Sequence, residues 1–309
     1  LAFKDQDVNG NGDAGDEIPL MGALGGTNEP VGFLMNPFQL YTSDYLLAQD
    51  GQISFVANTD GWREGLAYIA DLFAEGLLAE ETFVQDGGQL KTLVSVAEPD
   101  KRIVGAYSGM WQGTAVNTGV IPNGYDLYAP VPPLEGPTGL RQTATTGFGT
   151  IRMQGVITSA CKEPLAAFKW LDWWLSEEAT VVVDYGFEGS EYEWVDTPAI
   201  SGAVPGRLRT AGDKWSTVQN DIYDLNMVPH YRTSEILYSR TPTDHVPYLY
   251  AAAQLYAPCY VITGFPAFTW ASDTDIINET NELSALINDF VKTSYTQYIL
   301  GIQDIRDDA

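Results

Sequence analysis

The chain has 309 residues, of which 16 are basic and 41 acidic, for a formal net charge of −25. With 45 % apolar and 18 % charged residues it has a globular composition, long enough for one large or two ordinary domains around a sizeable core. The charge excludes a nucleic-acid binder, because phosphates require a basic face, and argues against docking on anionic lipid.

The first feature in chain order is Asp7-Val-Asn9-Gly-Asn11-Gly12-Asp13-Ala-Gly-Asp16-Glu17-Ile-Pro19. Oxygen-bearing side chains recur at every second position, and glycine stands where the chain must turn. A hard cation such as Ca²⁺ takes six to eight oxygen ligands, so a short loop must supply them at close intervals. With Asp7 as position 1, Asn9, Asn11, Gly12 and Asp13 occupy positions 3, 5, 6 and 7 of an EF-hand-type loop. The second half departs from that pattern: position 12 is Ile18, and the closing acids arrive early as Asp16 and Glu17. A competing frame starts at Asp5 and ends on Asp16. The metal set read here is Asp7, Asn9, Asn11, Asp13, Asp16 and Glu17, with structural calcium as the cofactor; the alternative is a solvated Asn/Gly/Asp turn.

Gln52–Val56 alternates and predicts a strand. Asp60 is placed as the cap of a helix whose apolar face is Leu66, Ile69, Ala70, Phe73 and Leu77, with Gly76 near its C-terminal end. Arg102–Tyr107 and Tyr125–Pro130 have strand length, and the Pro/Gly-rich run 131–137 is a connector. Phe148–Ile157 predicts one or two strands. Pro164 opens a helix at its first position, with Leu165, Phe168, Leu171 and Leu175 on one face. The last predicted element is a long helix over 276–299, with Leu283, Leu286, Ile287, Phe290 and Val291 as its buried stripe. Cys161 and Cys259 are too few for a disulfide framework and leave pairing open.

Two segments combine glycine with aromatic and polar side chains. In Ser108-Gly-Met-Trp111-Gln112-Gly113, glycines flank an indole at a strand end, which suits either display to a ligand or core packing. In Tyr185-Gly-Phe-Glu188-Gly-Ser-Glu-Tyr192-Glu-Trp194, two glycines form a tight turn that presents Glu188 and Tyr192. A carboxylate there either accepts ligand hydroxyls or satisfies the backbone N–H groups of its own turn. Trp62 reads as a packing residue, and Trp270 has no decisive reading. The chain has two histidines and no G-x-S-x-G, H-E-x-x-H or P-loop pattern. Acidic pairs are too numerous for any one of them to argue a glycosidase.

The order of motifs resembles the extracellular solute-binding proteins of bacterial ABC importers, in particular the lipoprotein-type oligosaccharide binders of the maltose-binding-protein-like family. The resemblance is carried by Asp7–Pro19, by Trp62-Arg-Glu-Gly-Leu-Ala-Tyr-Ile-Ala-Asp-Leu-Phe-Ala-Glu-Gly-Leu77, and by Val131-Pro-Pro-Leu-Glu-Gly-Pro-Thr-Gly139. It continues through Lys162–Asp172, Tyr185-Gly-Phe-Glu-Gly189 and Tyr298-Ile-Leu-Gly-Ile-Gln-Asp304. It implies an α/β fold of the periplasmic-binding-protein-like two-lobe clamshell type (type II). Residues 1–143 would lie mostly in the second lobe, 144–184 would return to the first lobe, and 185–309 would complete the second lobe and the C-terminal helices. Leu1–Lys4 reads as the tail of a helix, so the N-terminal portion of the first lobe, and a lipidated anchor with it, is expected to be absent from this chain. The resemblance implies extracellular binding of an oligosaccharide and delivery to the ABC importer's membrane subunits, without catalysis. Trp111, Gln112, Tyr185, Glu188, Tyr192 and Trp194 are the candidate ligand contacts, and Trp111 falls where the family carries a sugar-stacking "GPW" segment. A carbohydrate-active enzyme with a structural calcium loop and a cell-surface adhesion module are the alternatives.

Overall fold

The structure is a computed structural model and describes residues 2–49, 51–145, 155–210, 231–242, 245–263 and 273–303. The chain divides into two compact units, Leu1–Thr150 with Ala251–Ala309, and Ile151–Tyr250. Residues 185–250 therefore fall in the same unit as 151–184.

In the first unit β1 (Ile18–Met21) pairs in parallel with β4 (Val104–Tyr107), with Ile18 opposite Val104 and Met21 opposite Tyr107. Parallel strands need a long crossover, and this one contains α1 (Val31–Met35), the hairpin of β2 (Leu46–Gln49) and β3 (Gln52–Phe55), α2 (Asp60–Ala74) and α3 (Gly87–Val94). The strand predicted over 125–130 is instead a short 3₁₀ turn, Gly124–Leu127. Tyr125 and Tyr128 pack from this segment against the cluster of Met21, Leu90, Val94, Val104 and Val116. Farther on, β5 (Thr143–Thr145) pairs in parallel with β8 (Tyr260–Ile262).

The helix predicted from Asp60 is present, but its cap is Thr59: Thr59 Oγ1 accepts the Trp62 N–H at 3.2 Å, and Asp60 instead pairs with Arg63 one turn on. Gly76, at φ +66°, follows the last turn as expected of a C-terminal stop. Trp62 is buried as a packing residue. It stacks on Tyr41 (6.0 Å, 14°) and meets Tyr45 edge-on (5.6 Å, 87°).

The long C-terminal helix, α8 (Thr274–Ile299), is buried only near its end, where Val291, Tyr295 and Ile299 join Leu66 and Ile69 of α2 in one core. The Tyr295 hydroxyl donates to Glu29, and Lys292 Nζ reaches the other oxygen of the same carboxylate at 3.4 Å. Of the predicted stripe only Val291 is buried; Leu283, Leu286, Ile287 and Phe290 are exposed, Phe290 at 71 %. Periodicity identifies the apolar face of a helix but not whether a neighbour covers it.

The same correction applies in the second unit to α4 (Pro164–Trp173), none of whose residues is buried; Phe168 is 58 % exposed. Ser176 caps a separate helix, α5 (Glu177–Tyr185), through a 3.1 Å bond from the Ala179 N–H. α5 buries Val183, Asp184 and Tyr185. The antiparallel pair β6 (Tyr192–Val195) and β7 (Gly206–Arg209), and the short α6 (Ser234–Leu237), complete its core of Tyr185, Tyr192 and Ile236. Asp184 is held by a bidentate pair with Arg232. The helix α7 (Val246–Tyr256) follows. The strands expected over 148–157 lie for the most part, and Trp270 entirely, outside the described residues. No helix among the described residues is long and apolar enough to cross a membrane.

Candidate functional site

The N-terminal loop is organised around Asp7. Its Oδ1 accepts the N–H groups of Gly10 (2.7 Å) and Asn11 (3.0 Å), and its Oδ2 accepts that of Gly12 (2.8 Å). Three consecutive Asx turns follow: Asn9 Oδ1 accepts from Asn11, Asn11 Oδ1 from Asp13, and Asp13 Oδ1 from Gly15. Each turn aims a side-chain oxygen back into the loop. Gly10 and Gly12 supply the left-handed backbone the wrap needs, at φ +76° and +91°. Glu17, only 7 % exposed, closes the loop: its Oε1 accepts the N–H groups of Val8 (2.7 Å) and Asn9 (3.1 Å). Asn11 Nδ2 donates to Asp16 Oδ2 at 2.7 Å. Asp5 stands exposed outside this network, which is centred on the Asp7 frame.

Two loop oxygens, Asp16 Oδ1 and Glu17 Oε2, are buried without a hydrogen-bond partner among the described residues. A buried carboxylate oxygen left unpaired is costly, and a cation is the partner that suits an acceptor with no proton to offer. Among the described residues, no three His, Cys, Asp or Glu side chains converge into a metal site on their own. The loop's donor set depends on Asn9 and Asn11 as well as the acids, which is the hard-oxygen mixture calcium takes.

Trp111 and Gln112 belong to the first unit. Trp111 lies four residues beyond β4 and precedes a 3₁₀ turn, Gln112–Thr114. Its six-membered ring folds back over Gly113: a Cβ built on Gly113 would meet ring carbons at 2.3–2.6 Å. Gly113 is thus a seat for the indole rather than a flexible flank. The seat is itself held, since the Tyr107 hydroxyl donates to the Gln112 carbonyl (2.8 Å) and Lys91 Nζ to the Gly113 carbonyl (3.2 Å). Tyr125 leans on Trp111 at 5.8 Å, and the indole stays partly exposed. Burial beside Tyr128 and Tyr125 pushes the Tyr107 phenol well up, so it stays a neutral donor.

Tyr185, Glu188, Tyr192 and Trp194 belong to the second unit, and the structure sorts them by accessibility. Tyr185 is fully enclosed, its hydroxyl donating to the carbonyls of Ile236 (2.6 Å) and Leu237 (3.1 Å). It is a core residue and offers no surface that a ligand can touch. Tyr192 is also buried, with its hydroxyl 3.5 Å from Glu188 Oε2. Burial raises the Tyr192 phenol, and Glu188 adds to that while Arg207 opposes it. Glu188 is exposed, and Trp194 is 40 % exposed. The acid that satisfies the turn is Glu191, not Glu188: its Oε2 accepts the Phe187 N–H (2.8 Å) and its Oε1 the Ser190 hydroxyl (2.6 Å). Glu191 was not singled out from the sequence, where nothing separates it from the acids on either side. Arg207, whose guanidinium lies over the rings of Tyr185, Tyr192 and Trp194, was missed too. The alternation in Gly206-Arg-Leu-Arg209 was the available signal.

No protein-family model matches the chain. Over 193 residues it is 33 % identical to the fructooligosaccharide ABC transporter substrate-binding protein FusA of Streptococcus pneumoniae serotype 4, a stretch that takes in 62 % of this chain and 34 % of that protein. The solved structure of a FusA EF-hand mutant in complex with fructo-nystose aligns over 97 % of this chain and 59 % of its own, at a TM-score of 0.65 and 22 % identity. An HMO-binding ABC-transporter-associated solute-binding protein from Bifidobacterium longum infantis aligns over 96 % of this chain and 61 % of its own, at 0.62 and 17 %. The chain thus spans about a third of the curated relative's length. It is similar in sequence to ABC substrate-binding proteins, and it has the α/β fold of the type II periplasmic-binding-protein-like solute-binding proteins.

Proposed function

We propose that this chain belongs to an extracellular protein that binds an oligosaccharide and delivers it to the membrane subunits of an ABC importer. The observation that carries the reading is its 33 % identity to a fructooligosaccharide substrate-binding protein over 62 % of the chain. The site chemistry agrees with it. A sugar ring presents an apolar C–H face and a rim of hydroxyls, and it is met by aromatic platforms with a few placed polar groups. In the first unit, Trp111 on its glycine seat is a partly exposed platform with Gln112 beside it as a hydroxyl partner. In the second, taken by itself, Trp194 is the partly exposed platform and Glu188 the hydroxyl partner, backed by Tyr185 and Tyr192.

The same proposal gives the N-terminal loop a structural calcium ion held by Asp7, Asn9, Asn11, Asp13, Asp16 and Glu17. The unpartnered oxygens of Asp16 and Glu17 are its support within the chain, and the EF-hand named for FusA is its support from outside. When bound, the ion supplies a local positive charge that locks the loop preceding β1.

The test is a thermal-shift screen of the intact protein against kestose, nystose, xylo- and manno-oligosaccharides and oligouronates, followed by calorimetry on the hits. Micromolar or tighter binding without release of smaller sugars is expected. Turnover of any of these glycans would replace the binding reading with an enzyme, and failure to bind any of them would remove it.

A further inference from the structure

Trp194 stands on β6 directly opposite Arg207 on β7. Residues opposed across an antiparallel pair share a face of the sheet, and Tyr192, two positions earlier, shares it as well. The guanidinium carbon lies over the Trp194 ring at 4.6 Å, over Tyr185 at 5.0 Å and over Tyr192 at 5.6 Å. Arg207 Nη1 donates to Ser239 Oγ at 3.1 Å, and the Ser239 hydroxyl in turn contacts the Tyr185 hydroxyl (3.2 Å) and the Ile236 carbonyl (2.7 Å). The Arg207 backbone is pinned as well: its N–H donates to the Ser239 carbonyl (2.8 Å) and its carbonyl accepts from Thr241 (2.9 Å). Its Nε is buried and makes no hydrogen bond among the described residues. This cation is therefore held among three aromatic rings and by one hydroxyl. A guanidinium is planar and weakly hydrated, so it can lie among rings; an ammonium is compact and strongly hydrated.

We propose that Arg207 is a positioning residue of the sugar site, bridging the enclosed Tyr185 and the exposed Trp194 and fixing the indole at one tilt. One face of the indole rests on the cation, and the exposed side of the ring is presented for a sugar. The inference rests on the reading above that Trp194 meets the ligand. Without Arg207 the indole loses its backing, and a ring free to rotate must be ordered at each binding event, at a cost in affinity.

The experiment is a double-mutant cycle in the intact protein, read by calorimetry with whichever oligosaccharide of the panel the wild type binds most tightly. Trp194→Ala should weaken binding by roughly tenfold or more. Arg207→Met should weaken it by about threefold to tenfold, the scale of one cation–π contact. Arg207→Lys, which keeps the charge but not the planar guanidinium, should fall between Arg207→Met and the wild type. The deciding arm is Arg207→Met in the Trp194→Ala background, where no further loss is expected because the residue acts only through that ring. If Arg207→Met does not fold, Arg207→Lys carries the same cycle. Equal losses in both backgrounds would overturn the proposal in favour of a general structural role, and so would wild-type affinity in the Arg207 variants alongside a weakened Trp194→Ala. If Trp194→Ala itself binds as wild type, the reading of Trp194 as a sugar contact fails, and the positioning role fails with it.

Discussion

Glu17→Gln separates the metal from the loop that would hold it. Glu17 Oε1 already accepts the N–H groups of Val8 and Asn9 at 2.7 and 3.1 Å, and a glutamine carbonyl can accept both. The loop should therefore keep its shape. The buried, unpartnered Oε2 becomes an amide NH₂, which repels a cation where a carboxylate oxygen had faced it. The remaining carboxylates, Asp7, Asp13 and Asp16, share one short loop, where a bound cation would offset their mutual repulsion. Calcium at about 100 times its dissociation constant stabilises the folded state by about 2.7 kcal/mol. For a folding unit of roughly 150–250 residues that is about 5–10 °C in melting temperature. Calorimetric melts of the wild type with calcium and with chelator should differ by about that amount. Glu17→Gln should melt near the chelated wild type in both conditions. Asp7→Asn should behave likewise, and Asp5→Asn should keep the wild-type calcium response because Asp5 lies outside the network. A wild type indifferent to chelator, or a Glu17→Gln variant with the full calcium response, would refute the metal assignment. A silent Asp7→Asn paired with a disabling Asp5→Asn would show that the frame is wrong.

Trp111→Ala should weaken oligosaccharide binding by at least about tenfold with a near wild-type melting temperature. Gly113→Ala should match that loss, because its methyl would lie 2.3–2.6 Å from indole carbons that need about 3.5–4.0 Å; wild-type affinity in Gly113→Ala would mean that the seat does not matter. Trp62→Ala should do the reverse, costing about 3–5 kcal/mol of stability in differential scanning calorimetry while the folded fraction binds sugar normally; an affinity loss at unchanged stability would move Trp62 into the site. Burial raises the phenols of Tyr41 and Tyr107, so above about pH 10 the unfolded chain releases protons that the folded chain keeps. Stability is then fully present below that pH and falls by up to about 1.4 kcal/mol per unit for each such phenol above it. A melting temperature that is level to about pH 9.5 and declines beyond about pH 10 is expected; a level profile to about pH 11 would contradict the burial of these rings.

Much of the fold was legible because local rules suffice for it. The apolar spacing of α2 and the stop at Gly76, the proline opening α4 and the alternation in β3 each depend on a few neighbouring residues. The Asn/Asp alternation of residues 7–17 was legible for the same reason: Asx turns form between residues two apart, whatever the rest of the chain does. The errors fall where a residue's fate depends on a distant partner. Thr59 and Asp60 are both good caps, and only the backbone at the turn decides between them. The predicted apolar faces of α4 and of the middle of α8 are apolar, yet they lie largely exposed, because amphipathicity states what a helix can bury and not what is present to cover it.

The candidate site divides along the same line. Residue types marked the aromatic and acidic segments around Trp111 and Glu188–Trp194. What each side chain does there is set across strands and turns. Tyr185 and Trp194 lie in one short segment, yet one is sealed under the carbonyls of α6 and the other stands 40 % exposed on β6. Glu188 and Glu191 are three residues apart, and the turn uses Glu191 for the Phe187 N–H and the Ser190 hydroxyl and leaves Glu188 exposed. Arg207 follows Trp194 by a full β-hairpin; the alternation of Gly206–Arg209 marks a strand but not its partner, and it is the register opposing the two that brings the charge against the rings. A positively charged side chain in a chain of net charge −25 would ordinarily be expected to seek a carboxylate. The guanidinium carbon of this one lies 4.6–5.6 Å from the centroids of three aromatic rings, with a hydroxyl at its edge. Such a placement is costly for a charge unless the rings gain from it, and the ring with exposed surface to offer is Trp194.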